Sequence, residues 1–141
     1  MKSMRLLVLP FVTCVALSGF TCSDPATPCA CTEEFRTYTV RVIDAASQPV
    51  SDVTITRVNL RTDEILQPGW LGMLEPGYYL VADDGMLDLF SSDGDTVRVS
   101  GAKDGVTFVA DFVFATPEPC RCHVVKLAGP DLAIMGEVPP R

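Results

Sequence analysis

The sequence is poor in the residues that most often carry chemistry. It holds one histidine and one tryptophan, His123 and Trp70, in 141 residues, so common acid–base and triad schemes are short of parts. No Gly-x-Ser-x-Gly elbow, phosphate-cradling glycine loop, dinucleotide fingerprint or His-Glu-x-x-His pair occurs, which leaves the usual hydrolase, nucleotide and zinc-protease motifs unrepresented. Cations are scarce too: 11 Lys and Arg stand against 18 Asp and Glu, for a net charge of −7 with no basic cluster. Such a chain repels phosphate backbones and anionic head groups, so nucleic acid is not an expected partner. What is plentiful is apolar: 48% hydrophobic residues suffice for a packed core and argue against wholesale disorder.

The longest apolar run lies at the N-terminus. Lys2 and Arg5 precede an uncharged stretch from Leu6 to Phe20, followed by small residues such as Ser18 and Gly19 near its end. This is the layout of a secretory signal peptide. As a helix the stretch rises about 22 Å against a hydrocarbon core of about 30 Å, and Pro10 sits inside it, so it is too short to span a membrane. Ala16-Leu17-Ser18 fits ordinary cleavage, whereas Cys22, preceded by Gly19-Phe20-Thr21, resembles the acceptor cysteine of a bacterial lipoprotein. Five cysteines remain once Cys14 leaves with the leader, an odd number that lipid on Cys22 would resolve.

Beyond a polar tether, period-two alternation recurs. Tyr38, Val40 and Val42 alternate with Thr37, Thr39 and Arg41; Val53 and Ile55 with Thr54 and Thr56; Val97 and Val99 with Thr96, Arg98 and Ser100. Val106, Phe108, Ala110, Phe112 and Phe114 form the clearest row, opposite Thr107 and Asp111, and predict a long half-buried strand. Turn residues fall between these segments at Ser47-Gln48-Pro49, Asp83-Asp84-Gly85, Ser91-Ser92-Asp93-Gly94 and Lys103-Asp104-Gly105. Gln67 to Gly77, with Trp70, Leu71 and Met73 among prolines and glycines, reads as a loop with its own apolar cap. The spacing predicts an all-β Greek-key β-sandwich of about seven strands.

The cysteines form the sharpest constellation. Pro28-Cys29-Ala30-Cys31 precedes the first strand and Pro119-Cys120-Arg121-Cys122-His123 opens the last, the same Pro-Cys-x-Cys pattern at both ends of the domain. Residues two apart in a strand share a face, so the two pairs can stand opposite each other and close two disulfides. Antiparallel segments would join Cys29 to Cys122 and Cys31 to Cys120; parallel ones would join Cys29 to Cys120 and Cys31 to Cys122. The functional alternative is a metal site of these four thiolates with His123, although zinc spacing is typically wider and free thiolates rarely persist outside the cytoplasm. His123 itself reads as a surface or edge-strand histidine beside Arg121.

The other candidates have plain structural readings. Asp83, Asp84, Asp88, Asp93 and Asp95 are dense but lack the order of a calcium loop, and read as turn carboxylates. Trp70 and Tyr78-Tyr79 offer either loop packing or a surface for a sugar or peptide.

A resemblance enters through one strand-turn-strand unit. The run from Val42 through Asp44, Ser47, Pro49 and Asp52 to Ile55 resembles the opening hairpin of carboxypeptidase regulatory-like domains, which are transthyretin-like β-sandwiches. Asp84-Gly85-Met86-Leu87-Asp88-Leu89, Thr96-Val97-Arg98-Val99 and Lys103-Asp104-Gly105 are similar to that family's later signals, so the likeness covers roughly residues 38 to 110. It implies a small binding or spacer domain of secreted and cell-envelope proteins, without catalytic residues of its own.

The expected organisation is therefore a leader over 1–21, a Cys-x-Cys tether over 22–34, a β-sandwich over 35–135 and a tail over 136–141. The expected function is a non-catalytic, extracytoplasmic structural or binding module. No cofactor is expected, the partner would be an unidentified protein or glycan, contact with a membrane would run only through lipid on Cys22, and the chain should be a monomer.

Overall fold

The computed structural model describes residues 29–67, 69 and 74–137. The leader, Cys22 and the Trp70 cap lie outside these residues. Eight strands are present: β1 (Thr37–Ile43), β2 (Thr54–Asn59), β3 (Glu64–Ile65), β4 (Tyr78–Asp83), β5 (Asp95–Lys103), β6 (Val106–Ala115), β7 (Val125–Ala128) and β8 (Leu132–Ile134), with a short 3-10 helix over Asp84–Leu89. They form a three-stranded sheet, β4-β1-β8, and a five-stranded sheet, β3-β2-β5-β6-β7. The chain changes sheets after β1, β3, β4 and β7, and the non-consecutive strands β2 and β5 are neighbours. This is the expected Greek-key β-sandwich. All pairings are antiparallel except that of β1 with β8, which is parallel.

The alternating rows close on each other between the sheets. Val40 and Val42 of β1 and Val81 of β4 meet Val97 and Val99 of β5 and Phe108, Phe112 and Phe114 of β6 in one buried cluster. Each fully buried Val or Phe side chain contributes about 1.5–3 kcal/mol, so the three phenylalanines carry a large share of the core. The outer faces pair as the pattern requires: Arg98 and Asp111, directly opposite across β5 and β6, are joined by two hydrogen bonds of 2.9 and 2.8 Å. Val106 does not extend the buried row as its alternation suggests. It is 46% exposed, because it closes the hairpin opposite Lys103, where the ladder ends.

Turn chemistry sets the register. Asp104 and Gly105 both take positive φ, 49° and 79°, the tight two-residue turn that matches the twist of the flanking strands. In the β1–β2 connection Ser47 sits at φ 61°, and the Asp44 carboxylate accepts from the N–H groups of Ala46 and Gln48 at 2.8 and 2.9 Å. Asp95 is more than a turn carboxylate. Its side chain is 1% exposed and accepts from the Arg61 guanidinium on both oxygens, from the backbone and hydroxyl of Ser91, and from Asn59. The Arg61 guanidinium foremost, with those neutral donors, outweighs burial and holds the Asp95 carboxyl far below the usual carboxylate range. Arg57 of β2 donates to Leu80 O of β4 at 2.7 Å, tying one sheet to the other; burial pushes its guanidinium down while Asp83 opposes that shift.

Gly101 of β5 lies directly across from Phe108 of β6, and a β-carbon there would fall inside the phenyl ring's own space. The ring covers the bare glycine backbone, and the two residues act as one packing unit. Gly101→Ala should therefore cost about 1–3 kcal/mol through overpacking. In a Phe108→Leu background the same substitution should cost much less. Urea midpoints of the two single variants and the double variant check this; strictly additive costs would show that the ring is not what excludes the β-carbon.

Candidate functional site

The cysteine pairs meet in the parallel arrangement. Cys29 is bonded to Cys120 and Cys31 to Cys122, with Cα–Cα separations of 5.4 and 5.3 Å and a sequence separation of 91 in each case. Neither segment is a strand, however: residues 29–36 are irregular chain, and residues 116–124 form an irregular passage before β7. Cys122 N–H bonds back to Cys120 O at 2.6 Å, so the second segment is folded on itself rather than pleated. All four sulfurs are spent in these bonds, which replaces the four-thiolate metal centre considered from sequence. Among the described residues no group of three His, Cys, Asp or Glu side chains is placed to hold a metal ion.

Beside the second disulfide lies a polar chain that spacing does not reveal. His123 Nδ1 and Asp84 Oδ2 are 2.7 Å apart, and His123 Nε2 and Thr32 Oγ1 are 2.8 Å apart. An ionised Asp84 accepts a hydrogen bond from Nδ1–H, leaving Nε2 to accept from the threonine hydroxyl. His123 is thus not a surface histidine: its side chain is 11% exposed and that of Asp84 7%. The Asp84 carboxylate also accepts from Arg36 N–H and Val124 N–H, each at 2.8 Å, while its own N–H donates to Arg36 O at 3.0 Å. Burial alone would raise the Asp84 pKa, but the Arg36 N–H, His123 and the Val124 N–H together hold it below the ordinary value.

Further bonds lay the 116–124 segment on the 3-10 helix. Thr116 Oγ1 donates to Leu87 O at 2.8 Å, Arg121 Nη2 donates to the same oxygen at 2.9 Å, and Tyr38 OH donates to Val124 O at 2.9 Å. The tether, the helix and the run into β7 are therefore fastened at one end of the sandwich.

Thr32, His123 and Asp84 stand in the order hydroxyl, imidazole, carboxylate, as a nucleophile, base and orienting group would. The groove between β6 and β8 and a smaller hollow of about 250 Å³ beside Tyr79 are lined by none of these three residues. The arrangement fixes the tether to the body of the domain. Tyr79 is likewise structural, its hydroxyl accepting from Val53 N–H at 3.0 Å and donating to Val50 O at 2.8 Å, and the Tyr78 ring lies 6.0 Å from the Arg41 guanidinium.

The depressed carboxylates fix the sign of the acid response. Asp84 and Asp95 contribute stability that is complete above the ordinary aspartate pKa of about 3.9 and is lost as pH falls through their lower folded values. Asp84→Ala should cost about 3 kcal/mol at neutral pH, because the buried Val124 and Arg36 N–H groups lose a charged acceptor. It should also flatten the fall in stability between about pH 4 and pH 2. Denaturant titrations of wild type and variant at both ends of that window check the prediction. An unchanged slope would remove Asp84 from the acid response.

Set beside known proteins, the chain matches no family model, no curated protein and no solved structure.

Proposed function

We propose that this protein is a non-catalytic, disulfide-stapled β-sandwich module of the bacterial cell envelope, of the carboxypeptidase regulatory-like, transthyretin-like type, acting as a structural or binding unit. The observation that carries the reading is the pair of disulfides joining the start of the domain to the passage into β7. Disulfides form and persist in oxidising compartments. A first bridge across 91 residues removes about 4–5 kcal/mol of loop-closure entropy from the unfolded chain, and the second chiefly fixes register. The β1 strand running into an Asp44-capped turn and then Pro49 supports the resemblance seen in the sequence. The leader over 1–21 would direct export, and lipid on Cys22 would leave the Ser23–Pro28 tether as a spacer between membrane and sandwich.

Thiol counting and mass measurement on protein exported to the periplasm test this reading. The expected product begins at Cys22, carries a diacylglyceryl increment on that residue, and shows no other titratable thiol until it is reduced. A soluble species beginning at Gly19 or Phe20 would remove the lipid anchor while leaving the module intact. Four reactive thiols, protected by a metal that a chelator strips, would overturn the reading in favour of a small metal-binding protein using Cys29, Cys31, Cys120, Cys122 and His123.

A further inference from the structure

Ahead of β1 lies a strap that the core does not use. Residues 29–35 are all exposed, and the buried cluster begins at Val40. Arg36 is the hinge between the two: its N–H donates to Asp84 Oδ2 at 2.8 Å, and its C=O accepts from Asp84 N–H at 3.0 Å. Beyond that hinge, among the described residues, the strap is joined to the body of the domain by one hydrogen bond, Thr32 with His123, and by the two disulfides. Glu34 adds an ion pair of 3.7 Å, but its partner is Arg36 of the hinge itself.

Magnitudes decide which of these contacts holds the strap. Ordering the backbone of a single residue costs at least about what one hydrogen bond returns net of water, and residues 29–35 are ordered here. The Thr32–His123 bond therefore orients the strap, and the covalent bridges retain it. Each bridge has one half on the exposed strap, at Cys29 or Cys31, and a half-buried half on the body, at Cys120 or Cys122. Disulfides placed so openly are the ones that exchange with thiols, whereas enclosed structural bridges resist reduction.

From the exposed strap, its single hydrogen bond and the outward placement of both bridges, we infer that Cys29–Cys120 and Cys31–Cys122 are a thiol-exchange site through which a dithiol partner releases the strap while the sandwich stays folded. A partner thiolate attacks the Cys29 sulfur, forms a mixed disulfide with it and expels Cys120 as thiolate. The partner's second thiolate then attacks its own sulfur in that mixed disulfide and expels Cys29. The partner leaves as a disulfide, two electrons have passed to the bridge, and the two protons of the dithiol end on the two cysteines. A second dithiol opens Cys31–Cys122 in the same way. Release separates Thr32 from His123 and moves the point of attachment from Cys29 to the Arg36 hinge, so an anchor ahead of the domain would hold it on a longer spacer. The inference rests on the stapled-module reading and gives the staples a reversible role.

The test treats disulfide-intact protein with dithiothreitol in the absence of denaturant and follows the thiols by alkylation and mass. Both bridges should open at a rate within about tenfold of that in urea-unfolded protein. After reduction and alkylation, a glutamate-specific protease should cut after Glu33 or Glu34 at least about tenfold faster than in the intact protein. Amide exchange in β5 and β6 should stay as protected as before. Two variants separate the fasteners: Cys29→Ser with Cys120→Ser, which keeps the Cys31–Cys122 bridge, and Thr32→Val with both bridges in place should each leave the cut slow.

Bridges that open only in urea, a cutting rate unchanged by reduction, or loss of β5 and β6 protection together with release of the strap would each overturn the inference. Fast cutting in either unreduced variant would overturn it as well. The stapled-module reading is judged on the thiol count before any reductant is added, so its failure and failure of the strap are distinguishable.

Discussion

One carboxylate holds three segments that are remote from one another in sequence. Asp84 receives Arg36 from the residues just before β1 and His123 and Val124 from the passage into β7, while belonging itself to the helix that follows β4. A buried charge with that many donors is stabilised only while all of them stay in place, since each lost partner exposes the full desolvation cost of the rest. The two disulfides join two of these segments covalently, a few residues earlier in each. They act by restricting the unfolded chain, whereas Asp84 acts within the folded one. Because the mechanisms differ, the clamp does not depend on either alone, and the sandwich ends there in a fixed geometry.

The core was readable because its signal is local. The alternation of Val97 and Val99, and of Phe108, Ala110, Phe112 and Phe114, is a property of short windows of sequence, and both rows are buried. The Asp104-Gly105 turn is local too, and both residues adopt the positive φ that the dipeptide suggests. Strands β3 and β8 escaped because two or three residues cannot display a period of two; their pairing with β2 and β1 is decided by tertiary contacts. Asp84–Leu89 forms a 3-10 helix, an element too short for any helical period to register in the sequence.

The site was legible in its parts and not in its assembly. Repetition of Pro-Cys-x-Cys identified the four cysteines, but choosing between parallel and antiparallel pairing required knowing how two irregular segments approach each other. For His123 the strand assumption failed: its backbone leaves the pleat at Cys120–Cys122, and the ring turns inward onto Asp84. Contacts separated by 39, 48 and 91 residues leave no trace in spacing. What a single sequence offered was composition, a lone histidine among dense aspartates, and that composition fits turns, calcium and a buried relay equally well.

Strand β6 connects the clamp to the rest of the five-stranded sheet. Its C-terminal residues, Phe114 and Ala115, pair with β7 just after the stapled passage, while its N-terminal half is held on one side by β5 and meets Gly136 and Glu137 on the other. A free edge is ordinarily a liability, since it can template unspecific pairing, and charged side chains, proline or bulges usually blunt it. Here a bulge between Val113 and Phe114 and bonds to Gly136 and Glu137 cover parts of the β6 edge. The clamp keeps the strand from fraying at the other end.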